Sequence, residues 1–218
     1  MLRSGTLVVW TVLLVPSLAL ATSFTGALSW DADEDELVAA NNWAGTGTLI
    51  TYDVEEMASS DTWYYRYTLT VDSAQGSGIS NFVLELSDNV TSGDILSARP
   101  DDPAEVGTIA SNPGNPMPEA MYGAKWEDFD EDEVSETLVV EFELARMPVW
   151  GDFSAKGGPN STVWNAGFTK LDTDPGNPVD NPGVTGHIVV PDSVYVPEPA
   201  TMAFLMLGVP ALFRRRRG

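Results

Sequence analysis

The chain has 218 residues, with 32 acidic residues against 11 basic ones, a single histidine and no cysteine. A net charge of −21 repels nucleic acid, so nucleic-acid binding is excluded. The lack of thiols also excludes cysteine nucleophiles, thiolate metal sites and disulfide staples, and leaves the fold to be held by its core.

Met1-Leu2-Arg3 is a short positive start, Leu7 to Leu20 is apolar, and Ala19-Leu20-Ala21 is a small-x-small site followed at once by polar Thr22-Ser23. This order predicts a secretory signal peptide over residues 1–21, cleaved after Ala21, and export by Sec-type machinery. From Thr22 to Val196 six basic residues face 31 acidic ones, a net of −25. Those residues amount to one domain's worth of chain, enough to bury a core.

Within that part the first feature is acidic, Asp31 to Glu36, and Ala32 to Ala40 is the best candidate for a short helix. Strand periodicity follows. Gly47 to Val54 is a first candidate, and Thr62 to Asp72 then alternates strictly. Trp63, Tyr65, Tyr67, Leu69 and Val71 fall on one face, with Tyr64, Arg66, Thr68 and Thr70 on the other. Such alternation marks a half-buried antiparallel strand. Ile79 to Ser87 repeats it, with Phe82, Leu84 and Leu86 expected inward and Val83 and Glu85 outward. Met121 to Phe129 is followed by Leu138 to Leu144, the cleanest alternation, with Val139, Glu141 and Glu143 expected outward. Val149 to Ala155, Val163 to Thr169 and His187 to Val190 complete about eight strands. The turns between them are rich in Gly, Pro, Asn and Asp. The fold class expected is all-β: one antiparallel β-sandwich or jelly-roll-like domain over residues 22–190, with residues 191–196 as a short stalk.

The chain closes on Val196-Pro197-Glu198-Pro199, an apolar stretch from Ala200 to Phe213, and Arg214-Arg215-Arg216-Arg217-Gly218. Prolines lack amide donors and hold the box extended. The apolar stretch partitions into lipid, and four arginines stay on the cytoplasmic side. At about 14 residues it falls short of the roughly 20 that a stable spanning helix needs, which favours transient insertion over a permanent anchor. Residues 197–218 resemble the PEP-CTERM sorting signal of exopolysaccharide-producing, mostly Gram-negative bacteria. The resemblance implies recognition and cleavage near Pro197, Glu198 and Pro199 by a membrane-embedded exosortase-type enzyme, with Arg214, Arg215, Arg216 and Arg217 as the retention cluster. It also implies residence in the cell envelope, at the cell surface or in an extracellular matrix. Gly78 to Ser87, Tyr122 to Trp126 and Met147 to Gly158 resemble, more loosely, segments common in proteins with this tail, which implies no particular activity.

Three constellations bear on chemistry. Carboxylates at Asp128, Asp130 and Asp132 suit weak calcium binding, since calcium takes six to eight hard oxygens. Neither acidic cluster has the glycine of an EF-hand loop, and the alternative is a solvated acidic loop needing no cofactor. Sugar rings stack on exposed aromatics, and Tyr64, on the outward face beside Arg66, is the candidate glycan contact. The other aromatics of its strand read as core. Glu85, Glu141 and Glu143 are the carboxylates from which a glycosidase pair would be drawn, if two stood about 5–9.5 Å apart. His187 has no Gly-x-Ser-x-Gly elbow to serve and reads as structural. The sequence points to a non-enzymatic structural or adhesive envelope protein, with exopolysaccharide or other matrix components as partners. A carbohydrate-binding module is the first alternative and a polysaccharide hydrolase the second.

Overall fold

The computed structural model describes residues 22–195 apart from 34, 59, 73–77, 128, 130–135, 159–160 and 171–174. The signal peptide, the sorting tail and the three candidate calcium ligands therefore lie outside the described residues. Thirteen strands and two single-turn 3-10 helices are found among the described residues. The fold is all-β, antiparallel and sandwich-like.

The first sheet has five strands in the order β1-β3-β4-β9-β6, which are Ser23–Ser29, Leu49–Met57, Thr62–Thr70, Thr137–Leu144 and Leu96–Arg99. The second has six, β2-β12-β11-β5-β8-β7, which are Leu37–Ala40, Thr162–Asn165, Phe153–Gly157, Ile79–Glu85, Met121–Glu127 and Glu105–Ile109. A two-stranded ribbon joins β10 (Arg146–Gly151) to β13 (Ile188–Tyr195).

Rings fill the space between the sheets. Tyr65 stacks on Phe142 at 5.4 Å and Phe142 on Trp126 at 5.8 Å; Trp126 meets Phe82 at 6.2 Å, and Phe82 stacks on Phe153 at 5.9 Å. This series runs from the five-stranded sheet into the six-stranded one. Each such pair adds about 0.5–1.5 kcal/mol beyond the area it buries. Two tyrosines of β4 also tie the ribbon to the first sheet. Tyr65 Oη donates to the Arg146 carbonyl and Tyr67 Oη to the Val189 carbonyl, each at 2.8 Å.

Several expectations are corrected. Leu37–Ala40 is a strand rather than a helix, because pairing with β12 and burial of Leu37 and Ala39 outweigh the helix preference of alanine. Val149 to Ala155 is two strands: the chain turns a corner at Asp152, leaving the ribbon to enter the six-stranded sheet. Val83 is buried, not outward. A second apolar cluster of Ile109, Met117, Met121 and Phe168 covers that side of the sheet. Residues 191–195, expected as stalk, belong to β13, which pairs Pro191 with Pro148 and Tyr195 with Arg146.

Candidate functional site

Cross-strand register builds a polar face on the outside of the five-stranded sheet. Thr25, Asp53, Arg66, Glu141 and Arg99 are successive partners across β1, β3, β4, β9 and β6. One row away lie Ser23, Glu55, Tyr64, Glu143 and Leu96. The side chains face outward because their neighbours Val54, Tyr65 and Phe142 are buried on the opposite side.

Glu141 is the hub of this face. Its Oε2 accepts a 2.6 Å hydrogen bond from Tyr64 Oη and lies 3.8 Å from Arg66 Nε; its Oε1 lies 3.7 Å from Arg99 Nε. Both guanidiniums are at least half exposed, so these ion pairs are screened and contribute little to stability. The Tyr64 phenol is pushed up to about 12, first by desolvation and then by the hydrogen bond and charge of Glu141. It therefore stays a donor throughout the physiological range. Beside it a groove of about 330 Å³ is lined by Thr25, Thr51, Asp53, Arg66 and Thr68. Asp53 Oδ1 is shielded from solvent there and makes no hydrogen bond within the described chain.

The second polar constellation lies inside the protein, at the Asp152 corner. Asp152 and Asn165 are fully buried, and His187 nearly so. Asn165 Nδ2 donates to Asp152 Oδ1 and, at 2.8 Å, to the Gly186 carbonyl, while its Oδ1 accepts from Phe153 N at 2.9 Å. His187 Nδ1 lies 3.3 Å from Asp152 Oδ1. From β5 the Glu85 carboxylate accepts the Asp152 amide at 2.8 Å, and the Glu85 amide donates back to the Asp152 carbonyl at 3.0 Å. Four stretches of the chain, at residues 85, 152–153, 165 and 186–187, are joined here by hydrogen bonds. Glu85 and Asp152 also line a small pocket of about 180 Å³ with Glu119, Met121, Tyr122 and Phe168.

The structure therefore separates residues that the sequence grouped. Glu85 sits on the six-stranded sheet and serves the buried corner, whereas Glu141 and Glu143 stand on the outer face of the other sheet. Tyr64 is on the outer face as expected and only partly exposed. Trp43, Trp63, Trp126 and Trp150 are buried. Sequence reasoning missed Asp152 and Asn165. The available signal was an aspartate breaking the otherwise apolar run of residues 147–153. Among the described residues no group of three or more histidine or carboxylate side chains is arranged to hold a metal ion. A scan against family models finds no match for the chain, and searches of curated proteins and of solved structures likewise find none.

Proposed function

We propose that this chain is an exported, non-enzymatic protein of the cell envelope or extracellular matrix, with a structural or adhesive role, delivered by Sec-type export and processed at its C-terminus by an exosortase-type enzyme. The observation that carries the reading is the way the fold spends its chemical groups. Trp63 and Trp126, on the inner faces of the two sheets, are committed to the core, and Glu85, Asp152, Asn165 and His187 are committed to closing a corner. Such a sandwich is a rigid acidic module suited to presentation rather than turnover. Replacing Pro197, Glu198 and Pro199 with alanine tests the delivery. The variant is expected to be exported and folded but to keep its tail, as read by intact mass; processing like the wild type refutes the sorting mechanism.

A second reading, carbohydrate binding, is favoured by the outer-face groove. Its Thr25, Thr51 and Thr68 hydroxyls, the Asp53 carboxylate and the Arg66 guanidinium offer hydroxyl-matching donors and acceptors, with Tyr64 in the next cross-strand row. A glycan-array screen, run with calcium and again with chelator, separates the two readings. Saturable binding lost in Tyr64→Ala and Arg66→Ala supports the groove. Loss in chelator alone points instead to Asp128, Asp130 and Asp132. No binding in either condition leaves the structural reading.

A further inference from the structure

The mature chain is expected to begin at Thr22, and its first strand, β1, forms an edge of the five-stranded sheet with β3 as its partner among the described residues. The Thr22 carbonyl accepts from Glu56 N and Trp30 N donates to the Thr48 carbonyl. Antiparallel ladders alternate, so the even-numbered backbone groups face β3 and those of Ser23, Thr25, Ala27 and Ser29 face outward. All four of these residues are exposed. The Ser29 amide is already taken by the Glu36 carboxylate at 2.8 Å, which leaves Thr25 and Ala27 presenting amide and carbonyl at the open edge.

The other edges are blunted. Strand β6 has four residues, a register shift, Arg99, and Ser97 at φ 53°. Strand β7 opens on Glu105, and β2 has four residues beside the acidic run at 31–36. Short strands, charges and irregularities are how natural sheets prevent edge pairing. Strand β1 has none of these: Ser-Phe-Thr-Gly-Ala-Leu-Ser is seven residues without charge or proline, in a protein otherwise densely acidic.

The strand also reads nearly the same in both directions about Gly26. Reversed upon itself, Thr25 meets Ala27, Phe24 meets Leu28 and Ser23 meets Ser29. Thr25 and Ala27 carry the outward backbone groups, so this register is one that an antiparallel ladder allows. Phe24 and Leu28 fall together on the inner face, where Phe24 stacks on Trp63 at 6.0 Å. Gly26 sits at the two-fold axis, and its missing side chain makes room for the Tyr52 ring lying over it.

From this edge we infer that a second copy of the chain is the partner of β1, through antiparallel β1–β1 pairing centred on Gly26, so that two five-stranded sheets join into one of ten. Four backbone hydrogen bonds, between Thr25 of each copy and Ala27 of the other, form the centre of the contact. The pairing is isologous, so it closes as a dimer and leaves both outer polar faces open on the same continuous sheet. Because each copy is strongly negative, the contact strengthens as salt screens the repulsion. The inference rests on β1 alone and does not depend on tail processing or glycan binding.

The absence of native cysteine allows a direct test on the full chain, expressed with its own leader and examined in the envelope fraction. Thr25→Cys and Ala27→Cys are made singly, co-expressed under separable tags, and oxidised. Hydrogen-bonded antiparallel partners have Cα atoms about 5.5 Å apart, within disulfide reach, whereas Thr25 of the two copies would stand roughly 8–9 Å apart. The expected result is several-fold more mixed Thr25→Cys/Ala27→Cys dimer than either like pair. An excess of like pairs, or no cross-link above that of a cysteine placed at Ser80 on the other sheet, overturns the pairing. As an independent measurement, sedimentation of the exported protein should show a dimer that grows with concentration and salt. Ala27→Lys, or Thr25→Lys should the first variant fold poorly, is expected to stay monomeric and to melt like the wild type diluted to where it too is monomeric. An unchanged dimer in a folded lysine variant refutes the assignment.

Discussion

Replacing Asn165 with alanine tests whether the Asp152 corner is held as the geometry says. The substitution removes three hydrogen bonds from a fully buried side chain: one from the Phe153 amide, one to Asp152 and one to the Gly186 carbonyl. Gly186 keeps a 2.7 Å bond from the Gly167 amide, so its loss is partly covered. The Phe153 amide loses its side-chain acceptor, and the buried Asp152 carboxylate loses a donor. Each such loss costs about 1–3 kcal/mol, more where a charge is involved. The expected destabilisation is therefore about 4 kcal/mol, which for a domain of this size lowers Tm by roughly 8–16 °C. Urea unfolding followed by tryptophan fluorescence measures it, and an unchanged m-value confirms that the native state alone has changed. Ser80→Ala removes one exposed hydrogen bond to the Lys156 carbonyl and is the matched control, expected within about 0.5 kcal/mol of wild type. Asn165→Asp keeps the shape but sets a second carboxylate against Asp152. Its cost at neutral pH should be at least as large, and should ease in acid as one of the pair takes a proton. A loss below about 1 kcal/mol for Asn165→Ala would refute this account of the corner.

Further outcomes follow from single sites. At Gly123 a Cβ would fall inside the van der Waals shell of the Leu84 carbonyl on the neighbouring strand. Gly123→Ala is thus expected to cost about 1–3 kcal/mol or more, while Gly93→Ala, where the nearest atom is Thr91 Oγ1 at 3.9 Å, should be close to neutral by thermal melting. The Tyr64 phenol ionises at about 12 in the folded protein, above its ordinary value of 10.0, so its contribution to stability is whole below pH 10 and is lost as pH rises towards 12. A tyrosinate absorbance titration should show that high-pH step missing in Tyr64→Phe and moved downward in Glu141→Gln. Asp94 is held below its ordinary 3.8, chiefly by the Thr91 backbone amide and next by the Thr91 hydroxyl. Its contribution is present above that value and lost as pH falls through the folded one. In Thr91→Ala, NMR titration should place Asp94 part of the way back up.

Much of the strand content was legible because one face of each central strand is buried and the other is not. The alternation of residues 62–70 and 138–144 reports that asymmetry directly. The signal fails wherever burial comes from distant segments. Val83 reads as outward from its neighbours in sequence, yet Met117, Met121 and Phe168 arrive from two other stretches to cover it. Leu37–Ala40 becomes a strand only through β12, more than a hundred residues later in the chain. Strand β1 has too few large apolar residues to announce itself, and Asp152 inside an apolar run marks a corner only once Glu85 and Asn165 are known to meet it.

The same reasoning explains why the candidate site was half visible. Alternation placed Tyr64 and Arg66 on one outward face and Glu141 and Glu143 on another, but no local pattern says that those two faces adjoin or in what register. The register comes from the interior: Tyr65 stacks on Phe142, Tyr67 stands opposite Val140, and Tyr65 and Tyr67 send their hydroxyls on to the ribbon. A slip of one residue would turn Phe142 to solvent and carry Glu141 away from both Tyr64 and Arg66. The core rings of β4 and β9 therefore position the outer hydrogen bond, although they touch none of its atoms. A smaller side chain at Phe142 should disturb the Tyr64 titration as well as the stability, whereas an equally destabilising change at the Asp152 corner, on the other sheet, should leave that titration where it is.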